Sequence, residues 1–162
     1  MTFKTRHWLG AAVAIVIADQ LTKYCATLWL AYGEPVAVFP GLNFTLLHNT
    51  GAAFSLLSDA SGWQRWFFAG VALVVAAVIT LWLRQVGHHE RWLPIALSLI
   101  LGGAIGNFWD RLTLGYVIDF IQVYYQRWSW PAFNVADSAI SVGAVMLLLS
   151  GWFQRPPPTA DG

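Results

Sequence analysis

The sequence predicts an all-α integral membrane protein in which four transmembrane helices carry a small extracytoplasmic β-rich cradle and a short interfacial helix. The main evidence is a shortage of charge. Only 10% of the residues are charged and 57% are hydrophobic, whereas about 25% of an ordinary soluble domain is charged. The apolar residues are also gathered into four runs, each close to the roughly 20 residues that a helix needs to cross a bilayer.

The 162 residues are enough for one domain, and a single membrane-embedded domain is expected over 1–155, followed by a flexible, proline-rich tail over 156–162. The predicted spans are about 8–29, 66–83, 92–110 and 132–153, with outer loops at about 30–65 and 111–131. A cleavable signal peptide is the alternative for the first span, because basic residues precede it. The apolar stretch resumes after Lys23 and continues to Trp29, which favours a retained helix.

The positions of the cationic residues predict the orientation, because cytoplasmic loops carry an excess of lysine and arginine. Such residues precede the first span, flank the turn between the second and third spans, and follow the fourth: Lys4, Arg6, Arg84, Arg91 and Arg155. With four spans these groups lie on one side of the membrane, so both termini are expected in the cytoplasm. Most of the ten tryptophans lie near span ends, as in an aromatic belt.

The outer loop at about 30–65 has structure of its own. Short period-two stretches separated by turn residues predict small strands over 35–41 and 42–48. The segment that follows, 51–57, has the pattern of a short amphipathic helix lying at the membrane interface.

Asp19 and Lys23 are ionisable residues within the first span, where charge is costly. The rise of about 1.5 Å per residue places Asp19 near the middle of the bilayer. Lys23 follows four residues later, on the same face and in the favourable order for an ion pair. The pattern favours an internal ion pair that holds helices together, and contact of one member with the substrate is the alternative.

The third span ends in a run of small and polar residues. Gly102 and Gly106 form a small-xxx-small face that allows close approach of another helix. Asn107 and Arg111 share a face, and Arg111 could support an acidic site or a lipid phosphate through its rigid fork of donors. Asp110 is interpreted as a structural polar residue, either capping the helix end or forming a local salt bridge with Arg111.

Asp119 and Asp137 are two acids predicted near the outer membrane boundary. Asp119 lies in an apolar stretch too short to cross the membrane, and Asp137 lies 16 residues before Phe153, roughly 24 Å along a helix. Asn134 precedes Asp137 by three residues on the same face. Each acid alone could be a helix cap or a loop residue. Together they suggest a pair that shares one proton, with the ionised member activating water and the protonated member binding the scissile carbonyl.

Other functions are less well supported by the sequence. The net charge of +1 gives no electrostatic footprint for nucleic acid. A serine triad would have only His48 as an outward base, and a metal site would need clustered ligands, whereas His88 and His89 lie on the inner side. The alternatives that stay open are a small polytopic transporter or channel with an intramembrane polar path, and a non-catalytic scaffold.

Five motifs in the chain resemble those of lipoprotein signal peptidase, the bacterial signal peptidase II family. They are Asp19-Gln-Leu-Thr-Lys23, Asn49-Thr-Gly-Ala-Ala-Phe54, Gly102-Gly-Ala-Ile-Gly-Asn-Phe-Trp-Asp-Arg111, Val117-Ile-Asp-Phe-Ile121 and Phe133-Asn-Val-Ala-Asp-Ser-Ala-Ile140. Each motif is weak alone, but five in this order within a four-span chain are a specific signal.

The resemblance implies a membrane aspartic endopeptidase of the bacterial inner membrane, with its active site at the extracytoplasmic face. Such an enzyme cuts lipid-modified prolipoproteins just before a diacylglyceryl-modified cysteine and is inhibited by globomycin, a cyclic lipopeptide. Asp119 and Asp137 match the catalytic pair. The site-lining residues are expected to be Asn49, Gly51, Asn107, Arg111 and Asn134, while Asp19, Lys23 and Asp110 are structural. We expect a monomer that contacts membrane lipids and needs no metal or other cofactor.

Overall fold

The computed structural model describes residues 3–51, 62–86 and 91–153. Within these residues the helices are α1 (Phe3–Trp29), α2 (Trp63–Gln85), α3 (Trp92–Thr113) and α4 (Val135–Phe153). The strands are β1 (Val36–Phe39), β2 (Leu42–Asn49), β3 (Val117–Tyr125) and β4 (Trp128–Ser129). The predicted interfacial helix over 51–57 lies outside the described residues except for Gly51, and the tail over 156–162 lies wholly outside them.

The apolar helices agree with the predicted spans. In the described part of the chain, 3 helices are long and apolar enough to cross a membrane: Thr5–Trp29, Trp63–Gln85 and Trp92–Thr113. The apolar part of α4 over Val135–Leu149 is shorter, so a fourth crossing stays a prediction. Helices α1 and α3 extend beyond the predicted ends, since α1 begins at Phe3 and α3 continues to Thr113, whereas α4 begins at Val135, after the predicted start at about 132.

Helix α3 is the centre of the bundle and packs against the other three helices. Its glycines allow this packing. A Cβ atom on Gly102 would lie 2.7 Å from the carbonyl oxygen of Ala12 in α1, and one on Gly106 would lie 2.6 Å from the Asp19 carboxylate. Both distances are shorter than carbon and oxygen tolerate, so a side chain at either position would push α1 away. The close approach predicted for this face is therefore present.

The strands form one antiparallel sheet in the order β1-β2-β3-β4. Strands β1 and β2 confirm the strands predicted in the first outer loop. The segment 111–131, which the sequence predicts to be a loop, contains β3 and β4. The protein is mostly helical with a small antiparallel sheet, and this sheet takes strands from both predicted loops. The alternation of apolar and polar residues is lost in β3 because Val117 to Phe120 are all buried.

The sheet packs on the helical bundle through a small apolar cluster of Ala26, Leu46, Ile118 and Phe120. After β4 the chain returns to the sheet, where Phe133 pairs with Ile121, and then enters α4. This return brings the start of α4 beside β3, so the two segments that carry Asp119 and Asp137 are neighbours.

We predict that Gly106→Ala destabilises the protein by about 1–3 kcal/mol, the usual range for overpacking a tight interior, because its Cβ would collide with the Asp19 carboxylate. Thermal unfolding in detergent measures the effect. Gly70→Ala in α2 is the matched control, because a Cβ there meets nothing within 4 Å. Equal melting temperatures for the two variants would contradict the packing described here.

Candidate active site

Asp119 is a buried acid in strand β3 of the sheet. It lies on β3 opposite Leu47 of β2, and only 2% of the residue is exposed. Its two carboxyl oxygens each accept a hydrogen bond from an amide. Asn49 Nδ2 donates to Oδ2 at 3.1 Å, and Asn134 Nδ2 donates to Oδ1 at 2.7 Å.

Asp137 lies in the first turn of α4, where it forms a reciprocal cap with Asn134. The backbone N–H of Asp137 donates to Asn134 Oδ1 at 2.8 Å, and the backbone N–H of Asn134 donates to Asp137 Oδ2 at 3.3 Å. This is a capping box, in which two otherwise unpaired N–H groups of a helix start are satisfied. The other carboxyl oxygen of Asp137 accepts a hydrogen bond of 2.7 Å from Asn107 Nδ2.

Asn134 joins the two acids. It is fully buried, and its side-chain nitrogen donates to Asp119. Its side-chain oxygen accepts from the Asp137 N–H, and its own backbone N–H donates to the Asp137 carboxyl group. The same nitrogen also lies 3.3 Å from Asn107 Oδ1. The structure thus brings Asp119 and Asp137 to two sides of one amide, although they belong to a strand and a helix that are separated along the chain.

The surroundings of Asp119 favour its protonated form. The pKa of this carboxyl is raised from 3.8 to about 7. Burial is the larger cause, and the neighbouring negative charge of Asp137 is the second. The hydrogen bonds from Asn49 and Asn134 lower the pKa and only partly offset these effects. At neutral pH the Asp119 carboxyl therefore holds a proton for a large fraction of the time.

Arg111 connects the segment that follows β2 to the end of α3. Its Nη2 atom donates to the Gly51 carbonyl oxygen at 3.0 Å, and its Nη1 atom donates to the Asn107 carbonyl oxygen at 3.3 Å. Gly51 in turn donates its N–H to Asn49 Oδ1 at 3.0 Å. Arg111 thus supports the loop that presents Asn49 to Asp119. Gly51 contributes through its backbone.

Asp19, Lys23 and Asp110 form a second buried cluster behind the acids, each at most 1% exposed. Lys23 Nζ lies 2.8 Å from Asp19 Oδ2 and 2.8 Å from Asp110 Oδ2. The internal ion pair of the first span is therefore present. The local salt bridge suggested for Asp110 with Arg111 is not: Asp110 pairs with Lys23 of α1 instead, because its side chain points into the bundle.

Gln20 is a member of this cluster to which the sequence assigned no role. Its Nε2 atom donates to Asp110 Oδ1 at 2.8 Å and to Asp19 Oδ2 at 3.2 Å. Its position beside Asp19 within an apolar span was a usable signal. His48, considered as a base for a serine triad, instead stacks on Tyr116 with ring centroids 4.0 Å apart. Burial lowers the pKa of this histidine.

A cavity of about 590 Å³ opens beside the acids. Asn49, Asn107, Arg111, Val117 and Asp137 line its polar end. Its other walls are the segment before α4 and one face of α4, with Trp130, Pro131, Ala132, Phe133, Ser138, Ile140, Ser141 and Val142. A peptide that enters this cavity would meet Asp137, whereas Asp119 is not among the lining residues. Among the described residues no group of three or more His, Cys, Asp or Glu side chains could hold a metal ion.

The chain is similar to known proteins over nearly its whole length. The profile of the signal peptidase (SPase) II family matches residues 11–153. A lipoprotein signal peptidase of Acinetobacter baumannii is 54% identical over 152 residues, which cover 92% of this chain and 86% of the relative. The lipoprotein signal peptidase of Pseudomonas syringae pv. tomato is 55% identical over 144 residues, covering 88% of this chain and 83% of the relative.

Two solved structures, each described as a bacterial membrane enzyme, share the fold. One superposes with a TM-score of 0.83 at 29% identity and covers 96% of this chain and 93% of its own. The other has a TM-score of 0.78 at 30% identity and covers 92% of this chain and 94% of its own.

The raised pKa of Asp119 predicts how stability depends on pH. The folded protein holds this proton up to a pH of about 7, whereas the unfolded chain releases it near 3.8, so the free energy of unfolding decreases as the pH rises from about 4 to about 7. We expect the melting temperature of Asp119→Asn to fall less between pH 5 and pH 8 than that of the unaltered protein. Glu34→Gln, at an exposed outer position, should leave the slope unchanged. An equal slope in Asp119→Asn would contradict the assignment.

Proposed function

The chain belongs to the signal peptidase II family, and we propose that this multi-pass membrane peptidase is an aspartic endopeptidase acting on lipid-modified prolipoproteins. It removes the signal peptide by cutting just before the diacylglyceryl-modified cysteine. The observation that carries the aspartic mechanism is the arrangement of Asp119 and Asp137 on either side of Asn134, at the edge of a cavity large enough for a peptide segment.

The surroundings of the two acids assign them different charges. Asp137 lies in the first turn of α4 and accepts an N–H hydrogen bond from the helix start, where the helix dipole favours a negative charge. It also lines the cavity. Asp119 is more deeply buried, and its pKa of about 7 favours the protonated form. Asp137 is therefore the ionised member of the pair and Asp119 carries the shared proton.

The reaction follows from this difference. Asp137 removes a proton from a water molecule, and the oxygen of that water forms a bond to the scissile carbonyl carbon. Asp119 donates its proton to the carbonyl oxygen, which stabilises the tetrahedral intermediate. The intermediate then collapses: Asp137 gives its proton to the departing cysteine nitrogen, the C–N bond breaks, and Asp119 regains a proton from the new carboxyl group.

The shape of the cavity supports a substrate that carries lipid. An apolar groove of about 400 Å³ between α1 and α4 adjoins the cavity, and Ser138 and Val142 line both spaces. The groove lining is almost wholly apolar: Ala14, Ile15, Ala18, Leu99, Val135 and Ala139 complete it. The peptide backbone occupies the polar end while the acyl chains stay against apolar side chains or in the bilayer.

The proposal includes the membrane arrangement predicted from the positive charges. Four spans place both termini in the cytoplasm and the acids at the extracytoplasmic face of the bacterial inner membrane. The enzyme acts as a monomer and is inhibited by globomycin. A transporter is less well supported, because the polar side chains of α1 and α3 inside the bundle are hydrogen-bonded to one another.

We predict that Asp119→Asn and Asp137→Asn each reduce cleavage by at least about a hundredfold, the usual scale of general acid–base catalysis. The assay follows the size shift of a diacylglyceryl-modified prolipoprotein in detergent and its sensitivity to globomycin. Glu34→Gln is the control, an acid exposed in the outer loop. Substantial cleavage by either Asp variant would refute the dyad.

We also predict that kcat/KM decreases as the pH rises above about 7, because the active enzyme needs the proton on Asp119. For the free enzyme the fraction in this form falls about tenfold per pH unit above the pKa, and kcat/KM reports the free enzyme. The measurement is a cleavage profile from pH 5.5 to 9, with thermal unfolding at each pH to establish that the protein is intact. A profile that stays flat to pH 9 would show that Asp119 is not the acid.

A further inference from the structure

The buried ammonium of Lys23 has three partners. Two are the aspartates of its ion pairs, and the third is a neutral amide. Besides Asp19 and Asp110, it donates to Asn107 Oδ1 at 3.1 Å. A lysine has three N–H donors, and all three have acceptors here. The third bond connects the buried ions to an amide that touches Asp137.

That third bond is the shorter of two that fix which way the Asn107 amide faces, the other being the 3.3 Å bond from Asn134 Nδ2. The oxygen and nitrogen ends of an amide have nearly the same shape, so packing alone does not select one orientation. An ammonium can only donate, so it requires the oxygen end of Asn107 to face Lys23. The NH₂ end is then directed at Asp137 Oδ1, at 2.7 Å. Without Lys23, the Asn107 oxygen would keep only the longer hydrogen bond of 3.3 Å from Asn134 Nδ2, and the amide would be held less firmly against Asp137.

We propose that Lys23 is a positioning residue for the cleavage reaction, acting through Asn107 to hold the Asp137 carboxylate in the orientation that activates water. The inference rests on the proposed function, because it assigns Asp137 the role of base. Lys23 itself meets neither water nor substrate: it is 1% exposed and does not line the cavity, whereas Asn107 and Asp137 do.

The two acids that pair with Lys23 also contact the backbone beside the catalytic pair. Asp19 Oδ1 accepts a hydrogen bond of 2.9 Å from the N–H of Ala136, the residue before Asp137. Asp110 Oδ2 accepts one of 3.2 Å from the N–H of Ile118, the residue before Asp119. The cluster therefore contacts the backbone next to each catalytic acid, and Lys23 is the cation that pairs with both of these carboxyl groups.

The test is a double-mutant cycle with a charge-balanced variant. Lys23→Met combined with Asp19→Asn removes one charge of each sign, and the new amide oxygen can still accept the Ala136 N–H. This variant, Asn107→Ala and their combination are purified in detergent. The kcat and KM for a diacylglyceryl-modified prolipoprotein are then measured, together with the melting temperature.

We expect the charge-balanced variant to lower kcat by about tenfold to a hundredfold, the scale of a small misplacement of a catalytic group, with KM changed by less than about threefold. Adding Asn107→Ala to it should lower kcat by no more than about a further twofold, because residues acting through one contact are not additive. Effects that multiply would show that Lys23 acts independently of Asn107. A raised KM with unchanged kcat would indicate substrate contact, and unchanged kinetics would leave only a structural ion pair. Each of these three results overturns the proposal.

A second variant keeps the proposal testable if the charge-balanced protein does not fold. Asn107→Asp retains an oxygen for Lys23 but removes the donor to Asp137, so kcat should fall by a similar factor in a folded protein. Wild-type kcat in Asn107→Asp would overturn the proposal. Failure of the proposed function is recognised separately, because Asp119→Asn or Asp137→Asn would then still cleave.

Discussion

A single buried amide, Asn134, has to satisfy a helix terminus and two carboxyl groups at once. Its oxygen and backbone N–H complete the first turn of α4, while its nitrogen reaches Asp119 on the neighbouring strand. Because these bonds share one side chain of fixed geometry, the start of α4 cannot move relative to β3 without breaking at least one of them. The hydrogen bonds at the start of α4 thus fix the relative position of the two acids. The cavity lies beside this same junction.

The polar junction can exist in so apolar a protein only because its members satisfy one another. An unpaired polar group away from water costs several kcal/mol, and a half-satisfied network is worse than an apolar core. Here α3 supplies Asn107 and Asp110, α1 supplies Asp19 and Lys23, and the glycine at position 106 lets the two helices approach closely enough for these groups to meet. The polar residues of the third span therefore depend on its glycine, because they reach their partners in α1 only when the two helices are this close.

The sequence predicts the elements of this structure better than their contacts. Hydrophobic runs predict the helices, and the four-residue spacing predicts the pairing of Asp19 with Lys23, because both signals are local. The partner of Asp110 is not a local property: Arg111 is adjacent to it, yet Lys23 of another helix binds it. Strand β3 was missed for a related reason. Burial of successive residues on both faces removes the alternation that identifies a strand, and pairing with β2 of the distant outer loop stabilises it instead.

The placement of the cations bears on the proposed sharing of a proton between Asp119 and Asp137. In the described part of the chain neither Asp119 nor Asp137 forms an ion pair, and both accept hydrogen bonds only from amide groups. A lysine or arginine in direct contact would hold both carboxyls ionised and would abolish the proton donor. Lys23 is instead occupied by Asp19, Asp110 and Asn107, and Arg111 by two backbone carbonyl oxygens. Neither cation contacts either acid, so burial and the charge of Asp137 still raise the pKa of Asp119 to about 7, although the amide hydrogen bonds and the more distant charge of Lys23 partly offset them.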